Sequence, residues 1–250
     1  MRKSVPGSGT SRALSILGCF SEATPKLTLT EASQRTGLPL TSTHRQIGEL
    51  VSWGALERGE DGRYQIGLRV WEIGSLAPRR LGLREAALPF MEDLYEVTHE
   101  NIQIAVLDGL DVVYVERIAG RRAVHVVTRA GSRLPAQATA VGLVLLAHSD
   151  QAQIDAALAA PMKAYTEHTV TDPRHLRKAL TEVRRQGYAI SDRQIENVSI
   201  SVAAPIYDAN RVVTAALSIV VSASRGKARH YLPAVLASAR GVSRALGAVY

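Results

Sequence analysis

Leu27-Thr28-Leu29-Thr30-Glu31-Ala32-Ser33-Gln34-Arg35-Thr36-Gly37-Leu38-Pro39-Leu40-Thr41-Ser42-Thr43-His44-Arg45 reads as a helix, a turn and the opening of a second helix. Thr28 and Glu31 have the spacing of a capping box, in which the hydroxyl closes a helix N-terminus and the carboxylate reaches back. Gly37 tolerates the left-handed turn that ends this helix, and Pro39 keeps the residue before it out of helical conformation. Ile47, Leu50 and Val51 then recur at i, i+3, i+4, an apolar stripe for packing. The opposite face shows Ser42, Thr43, Arg45 and Gln46 near the helix start. Hydroxyls, an Arg and an amide are what a helix needs to meet phosphates and base edges in a major groove. Downstream, two short strands flank Gly59-Glu60-Asp61-Gly62, as in a β-wing ending near Ile66. Two short helices joined by a glycine turn also occur inside all-α cores, with a merely solvated polar face. The wing, and a compositionally different body after it, favour a winged helix-turn-helix that contacts duplex DNA.

Working outward, the 250 residues allow one large domain or two smaller ones. With 46% hydrophobic residues the chain can bury real cores. The net charge of +7 favours an anionic partner. Residues 1–80 hold 11 Lys/Arg against 7 Asp/Glu, and residues 81–250 hold 19 against 16, so the N-terminal third is the more basic per residue. The single cysteine, Cys19, excludes an intrachain disulfide and a Cys-based metal site, as expected of a cytoplasmic protein. Ala13 to Cys19 faintly imitates a lipoprotein signal. Arg12 abuts it, however, and Ala13, Leu14, Ile16, Leu17 and Phe20 fall on one helical face, so a soluble amphipathic helix is the better reading. No apolar run approaches the ~18 residues of a membrane span, so no membrane partner is expected.

The expected layout is a flexible tail over 1–10, a winged helix-turn-helix over 11–66, a linker helix over 67–82 and a second domain over 83–250. Ser11 is read as the cap of a first helix running from Arg12 to Phe20. Leu68 to Leu76 has helical spacing, ends before Pro78, and offers Trp71 and Leu76 to a partner chain. Leu83 to Thr98 is a helix with Pro89 as a kink or break. Strands are expected at 102–107, 112–117, 123–128, 187–191, 199–207 and 212–221, with a loop over 130–135. Helices are expected at 138–147, 151–158, 173–186 and 228–249. Asp108-Gly109-Leu110-Asp111 is a hairpin turn. This irregular alternation with hairpins describes an α+β domain with an antiparallel sheet.

Over nearly its full length the chain resembles the IclR family of bacterial transcription regulators. The resemblance rests on Arg12-Ala13-Leu14-Ser15-Ile16-Leu17, on Gly37 to Arg45, and on Gly62-Arg63-Tyr64-Gln65-Ile66-Gly67. It also rests on Gly131-Ser132-Arg133-Leu134-Pro135 and Ala203-Ala204-Pro205-Ile206-Tyr207-Asp208, in that order and spacing. It implies a winged helix-turn-helix, a linker helix and a GAF-like α+β effector domain. It further implies dimers or tetramers on palindromic double-stranded operators, with affinity altered by a small organic effector, a carboxylate or aromatic acid. DNA contact is carried to Thr41, Ser42, His44 and Arg45, with Arg63 in the wing. Leu40 stands where the family often has Lys. The effector residues implied are Ala138, Thr139, Asp192, Ser201 and Ser218, with Leu134 and Gln137 as additions. Gln137 replaces a common His, and Ser201 a common Cys. A helix start near 138 also has free N–H groups suited to a carboxylate.

The competing class is a small-molecule-binding or hydrolytic enzyme with an accessory helical N-terminus. The usual constellations are missing: no nucleophile elbow, no His-Glu-x-x-His, no phosphate loop, no dinucleotide fingerprint. The seven histidines are scattered, without metal spacing. The expectation is a regulator, not an enzyme, with no cofactor and no metal.

Overall fold

The computed structural model describes residues 7–21, 23–76, 78–120, 123–225 and 228–249. The chain divides into two compact units, Met1–Pro78 and Arg79–Tyr250. The first unit contains α1 (Gly9–Leu17), β1 (Lys26–Leu27), α2 (Leu29–Thr36), α3 (Leu40–Trp53), β2 (Leu56–Arg58), β3 (Tyr64–Ile66) and α4 (Leu68–Ser75). Ile16, Ala32, Leu38, Ile47, Leu50, Ala55, Leu56 and Tyr64 form its core. The capping box is present in both directions: Glu31 N–H donates to Thr28 Oγ1 (3.2 Å), and Thr28 N–H donates to Glu31 Oε2 (2.7 Å). Gly37 closes α2 in the left-handed region at φ 72°.

Three expectations for this unit change. α1 begins two residues before Ser11, because Ser8 is the residue whose hydroxyl caps it, accepting from Ser11 N–H. Helical structure therefore reaches into the stretch read as tail. Thr43 and Gln46 are buried with Ile47 and Leu50. They lie on the packing stripe, because Thr43, Gln46, Ile47 and Leu50 share the i, i+3, i+4, i+7 face. The wing also has a third strand, β1, paired with β3 at Lys26↔Gln65 and Leu27↔Tyr64; two residues carry too little pattern to announce it.

The second unit continues with α5 (Pro78–Thr98), β4 (Asn101–Asp108), β5 (Asp111–Ile118), β6 (Arg133–Pro135), α6 (Ala140–Ala147), α7 (Gln151–Ala159) and α8 (Pro173–Gln186). It ends with β7 (Ala189–Asp192), β8 (Ser199–Tyr207), β9 (Val213–Ser222) and α9 (Leu232–Ala245). Among the described residues the sheet runs β6-β5-β4-β9-β8-β7, with every neighbouring pair antiparallel. Both faces are covered. α6, α7 and α8 pack over Ala105, Ala203 and Ala216, where small residues let α6 approach. α5 and α9 cover Ile102, Ile104, Val202, Leu217 and Ile219 on the other face. This is the expected α+β architecture.

Several boundaries move for identifiable reasons. Pro78 starts α5 instead of merely following α4, since the N–H that proline lacks would have no intrahelical acceptor at a first helical position. Pro89 sits inside α5, which continues to Thr98. Arg133–Pro135, read as loop, adds an edge strand to β5. The C-terminal helix starts at Leu232 after a 3-10 turn over Ala228–Tyr231, and stops at Ala245. Residues 123–128 are not a strand. Side chains from the neighbouring sheet take the place of a ladder: Asn101 Nδ2 donates to the Val124 carbonyl (2.8 Å), and Arg117 donates to that of Thr128 (2.7 Å). Among the described residues no helix is long and apolar enough to cross a membrane.

Candidate DNA-reading surface and effector cleft

In the first unit, Thr41, His44 and Arg45 are exposed on α3, and Ser42 is half-buried beside them. Thr43 is held inward, its hydroxyl donating to the Pro39 carbonyl (3.1 Å). The outward face therefore presents a hydroxyl, an imidazole and a guanidinium within five residues. Among the described residues, neither His44 nor Arg45 has a side-chain partner inside the protein. The wing turn closes with Gly62 at φ 75°. Its Arg63 is partly occupied, 3.6 Å from Glu31, and that carboxylate is held below its ordinary pKa chiefly by the Thr28 hydrogen bonds. Arg63 thus joins the wing to the start of α2. α4 leans on this unit through Leu68 N–H, which donates to Glu57 Oε1 (3.1 Å), and through Arg69, stacked 4.6 Å over Trp53. Leu68, Trp71, Ile73 and Leu76 remain exposed.

The second unit has a cleft over the sheet, of about 440 Å3 counting its open mouth. Its floor comes from alternate residues of the strands: Gln103 on β4, Ser201 on β8, Ser218 and Val220 on β9. One end is the turn into α6. Residues 136–138 form a 3-10 turn, and Thr139 is the cap residue, its hydroxyl accepting from Gly142 N–H (3.1 Å). α6 therefore begins at Ala140, two residues later than expected. The cap occupies Gly142, so the N–H groups of Ala140 and Val141, both lining residues, face the cleft end of the helix without intrahelical acceptors. Ser191 steadies the turn by donating to the Ala138 carbonyl (3.0 Å). Gly142 allows the tight approach, because a Cβ there would overlap the Ala136 backbone.

Two segments form the remaining walls. Residues 126–128 are tied to the floor by Gln103 Nε2, which donates to Thr128 Oγ1 (2.5 Å). Residues 194–196 leave β7 through Arg193, in the left-handed region at φ 54°. They are anchored from outside, where Thr169 Oγ1 donates to the Gln194 carbonyl (2.6 Å). The segments meet where Val127 N–H donates to Glu196 Oε2 (3.4 Å). Ser218 is only 2% exposed, yet among the described residues its hydroxyl has no partner; the same holds for the Tyr114 hydroxyl. Burial, with Glu196 nearby, raises the Tyr114 pKa well above its ordinary value, so the phenol is a neutral donor at physiological pH. Burial lowers the Arg117 pKa from its usual level, with Glu196 opposing.

The structure brings together Leu134, Ala138, Thr139, Ser201 and Ser218 in the cleft lining. Gln137 and Asp192 lie outside it. Asp192 is exposed at the end of β7, its carboxylate held by Arg193 at 2.8 Å, which keeps its pKa below the ordinary value. Sequence reading missed Gln103, Tyr114, Val126 to Thr128 and Gln194 to Glu196. One signal was visible: Asn101 and Gln103 are polar at period two at the head of a strand that is apolar from Ile104 to Leu107.

The chain matches two family models: the IclR helix-turn-helix domain over residues 9–60, and the bacterial transcriptional regulator IclR C-terminal domain over residues 76–246. It is 34% identical over 209 residues to the HTH-type transcriptional regulator KipR of Bacillus subtilis, covering 83% of each chain. It is 31% identical over 241 residues to XynR of Escherichia coli, covering 94% of this chain and 96% of the relative. A solved IclR homolog from Microbacterium hydrocarbonoxydans, complexed with 4-hydroxybenzoate, superposes with a TM-score of 0.91 at 34% identity. That match covers 96% of this chain and 99% of the other. The chain belongs to the IclR family of DNA-binding bacterial transcriptional regulators.

Proposed function

We propose that this regulator binds a palindromic operator as a homodimer or homotetramer in the cytoplasm, and that a small aromatic acid in the cleft changes operator affinity. Residues 11–66 read DNA, residues 67–82 link, and residues 83–250 bind the effector. Thr41, Ser42, His44 and Arg45 contact the major groove, with Arg63 placing the wing on the backbone. The effector contacts Ala138, Thr139, Ser201 and Ser218, with Leu134 against its ring.

The observation that carries the effector reading is the Ser218 hydroxyl, unpartnered among the described residues and open to the cleft that the residues opening α6 also line. Such a hydroxyl has a donor and lone pairs to offer a polar ligand. The helix N-terminus favours a carboxylate. Val126, Leu134 and Val220 supply apolar walls for a ring. The relative that holds 4-hydroxybenzoate supports an acid of that size and shape. The protein acts by binding and not by catalysis, in keeping with relatives that regulate transcription.

The test is DNA binding on genomic fragments across a salt series, with and without 4-hydroxybenzoate. Selective binding with a steep salt slope, shifted at least tenfold by the acid, is expected. Selective binding that the acid leaves unmoved would remove the effector identity and keep the DNA reading.

A further inference from the structure

The cleft has two chemically opposed ends. One is the start of α6, with the N–H groups of Ala140 and Val141. Strand register locates the other. The turn into α6 is tied to Ser191, which donates to the Ala138 carbonyl and pairs with Ser201 on β8, and β8 runs from Ser201 to Ser199, roughly 7 Å over two residues. Ser199 N–H donates to the Glu196 carbonyl (3.4 Å), so Glu196 stands at the end remote from α6. Glu196 lines the cleft, and among the described residues its carboxylate accepts only the long bond from Val127 N–H. Lone pairs remain for a ligand. Tyr114 lines the same space, its hydroxyl unpartnered among the described residues. Arg117 also feels Glu196. Its guanidinium, however, donates to Asn101 Oδ1 (2.7 Å) and the Thr128 carbonyl, and it does not line the cleft.

We propose that Glu196 sets the selectivity of the cleft, admitting a monoanionic acid with a hydroxyl at its far end and turning away a dianion. This rests on the effector reading above. A ligand carboxylate settles on the α6 N–H groups. At the opposite end a ligand hydroxyl donates to Glu196 and accepts from Tyr114. A second carboxylate in that position faces Glu196 at close range, where like charges repel. Selectivity then comes from a repulsive element as much as from an attractive one.

The experiment is calorimetric titration of the full chain with 4-hydroxybenzoate, benzoate and benzene-1,4-dicarboxylate, on wild type and Glu196→Gln. Wild type is expected to prefer 4-hydroxybenzoate over the dicarboxylate by at least tenfold, with benzoate between. Glu196→Gln keeps the shape, removes the charge and offers an N–H, so it is expected to narrow that preference at least tenfold. Binding of 4-hydroxybenzoate with unchanged selectivity in the variant overturns the assignment of Glu196 alone. Equal affinity of wild type for both acids overturns it without the variant, should that chain fold poorly. Binding of none of the three by wild type overturns the effector reading and this assignment with it.

Discussion

Arg45 stands on the outward side of α3 with no internal partner among the described residues, in contrast to Arg63, which shares its charge with Glu31. That contrast ranks them. Arg45→Ala is expected to weaken operator binding tenfold to a hundredfold, the effect of losing a charged groove contact worth about 1–3 kcal/mol. Titration with 4-hydroxybenzoate should be unchanged in the same variant, and fluorescence anisotropy on a labelled operator reads the loss. At this scale the sequence was informative on α3 because one face of a helix repeats every 3.6 residues. It misled at Thr43 and Gln46, where polar side chains occupy the buried stripe. Residue type and helical phase disagreed there, and phase decided. The cleft was legible in part. Leu134, Ala138, Thr139, Ser201 and Ser218 came through the family resemblance, while Tyr114 and Glu196 enter the lining only through tertiary placement of strand and wall.

The start of α6 is the element on which the cleft depends. Its 3-10 turn, Thr139 cap and Gly142 contact form one assembly within seven residues. Gly142→Ala would normally raise helix propensity. Here the added methyl meets the Ala136 backbone, so the variant is expected to lose about 1–3 kcal/mol of stability, as in overpacked cores. Chemical denaturation measures it, and 4-hydroxybenzoate binding should fall in parallel. The apolar run over 138–147 announced this helix but not its first residue, because capping by Thr139 is a matter of backbone angle. Residues 123–128 show the opposite failure. Their β-branched pattern suits a strand, yet Asn101, Gln103 and Arg117 satisfy the segment with side chains and hold it over the cleft instead.

For the whole molecule, the helix-turn-helix followed by an α+β body, the antiparallel sheet and the hairpins were legible because hydrophobic periodicity and turn residues are local signals. Assembly is less so. α4 exposes Leu68, Trp71, Ile73 and Leu76, a stripe of apolar side chains that one chain leaves in water. Trp71→Glu is expected to weaken self-association at least tenfold in sedimentation and to reduce operator affinity with it. A palindromic operator is read by two recognition helices about 34 Å apart, so a lone chain loses half its contacts. By linkage, any factor by which the effector changes operator affinity must return as the same factor in effector affinity on adding DNA.

The stacking of Arg69 on Trp53 has an optical consequence. Trp53 and Trp71 are the two tryptophans of the chain, and both belong to the unit ending at Pro78. The second unit has no tryptophan, and its near-ultraviolet emission comes chiefly from tyrosine. Indole fluorescence is therefore a built-in lamp in the DNA-reading unit, dark to anything confined to the cleft. A change in its colour when the cleft fills is light reporting a message that has already crossed from one unit to the other.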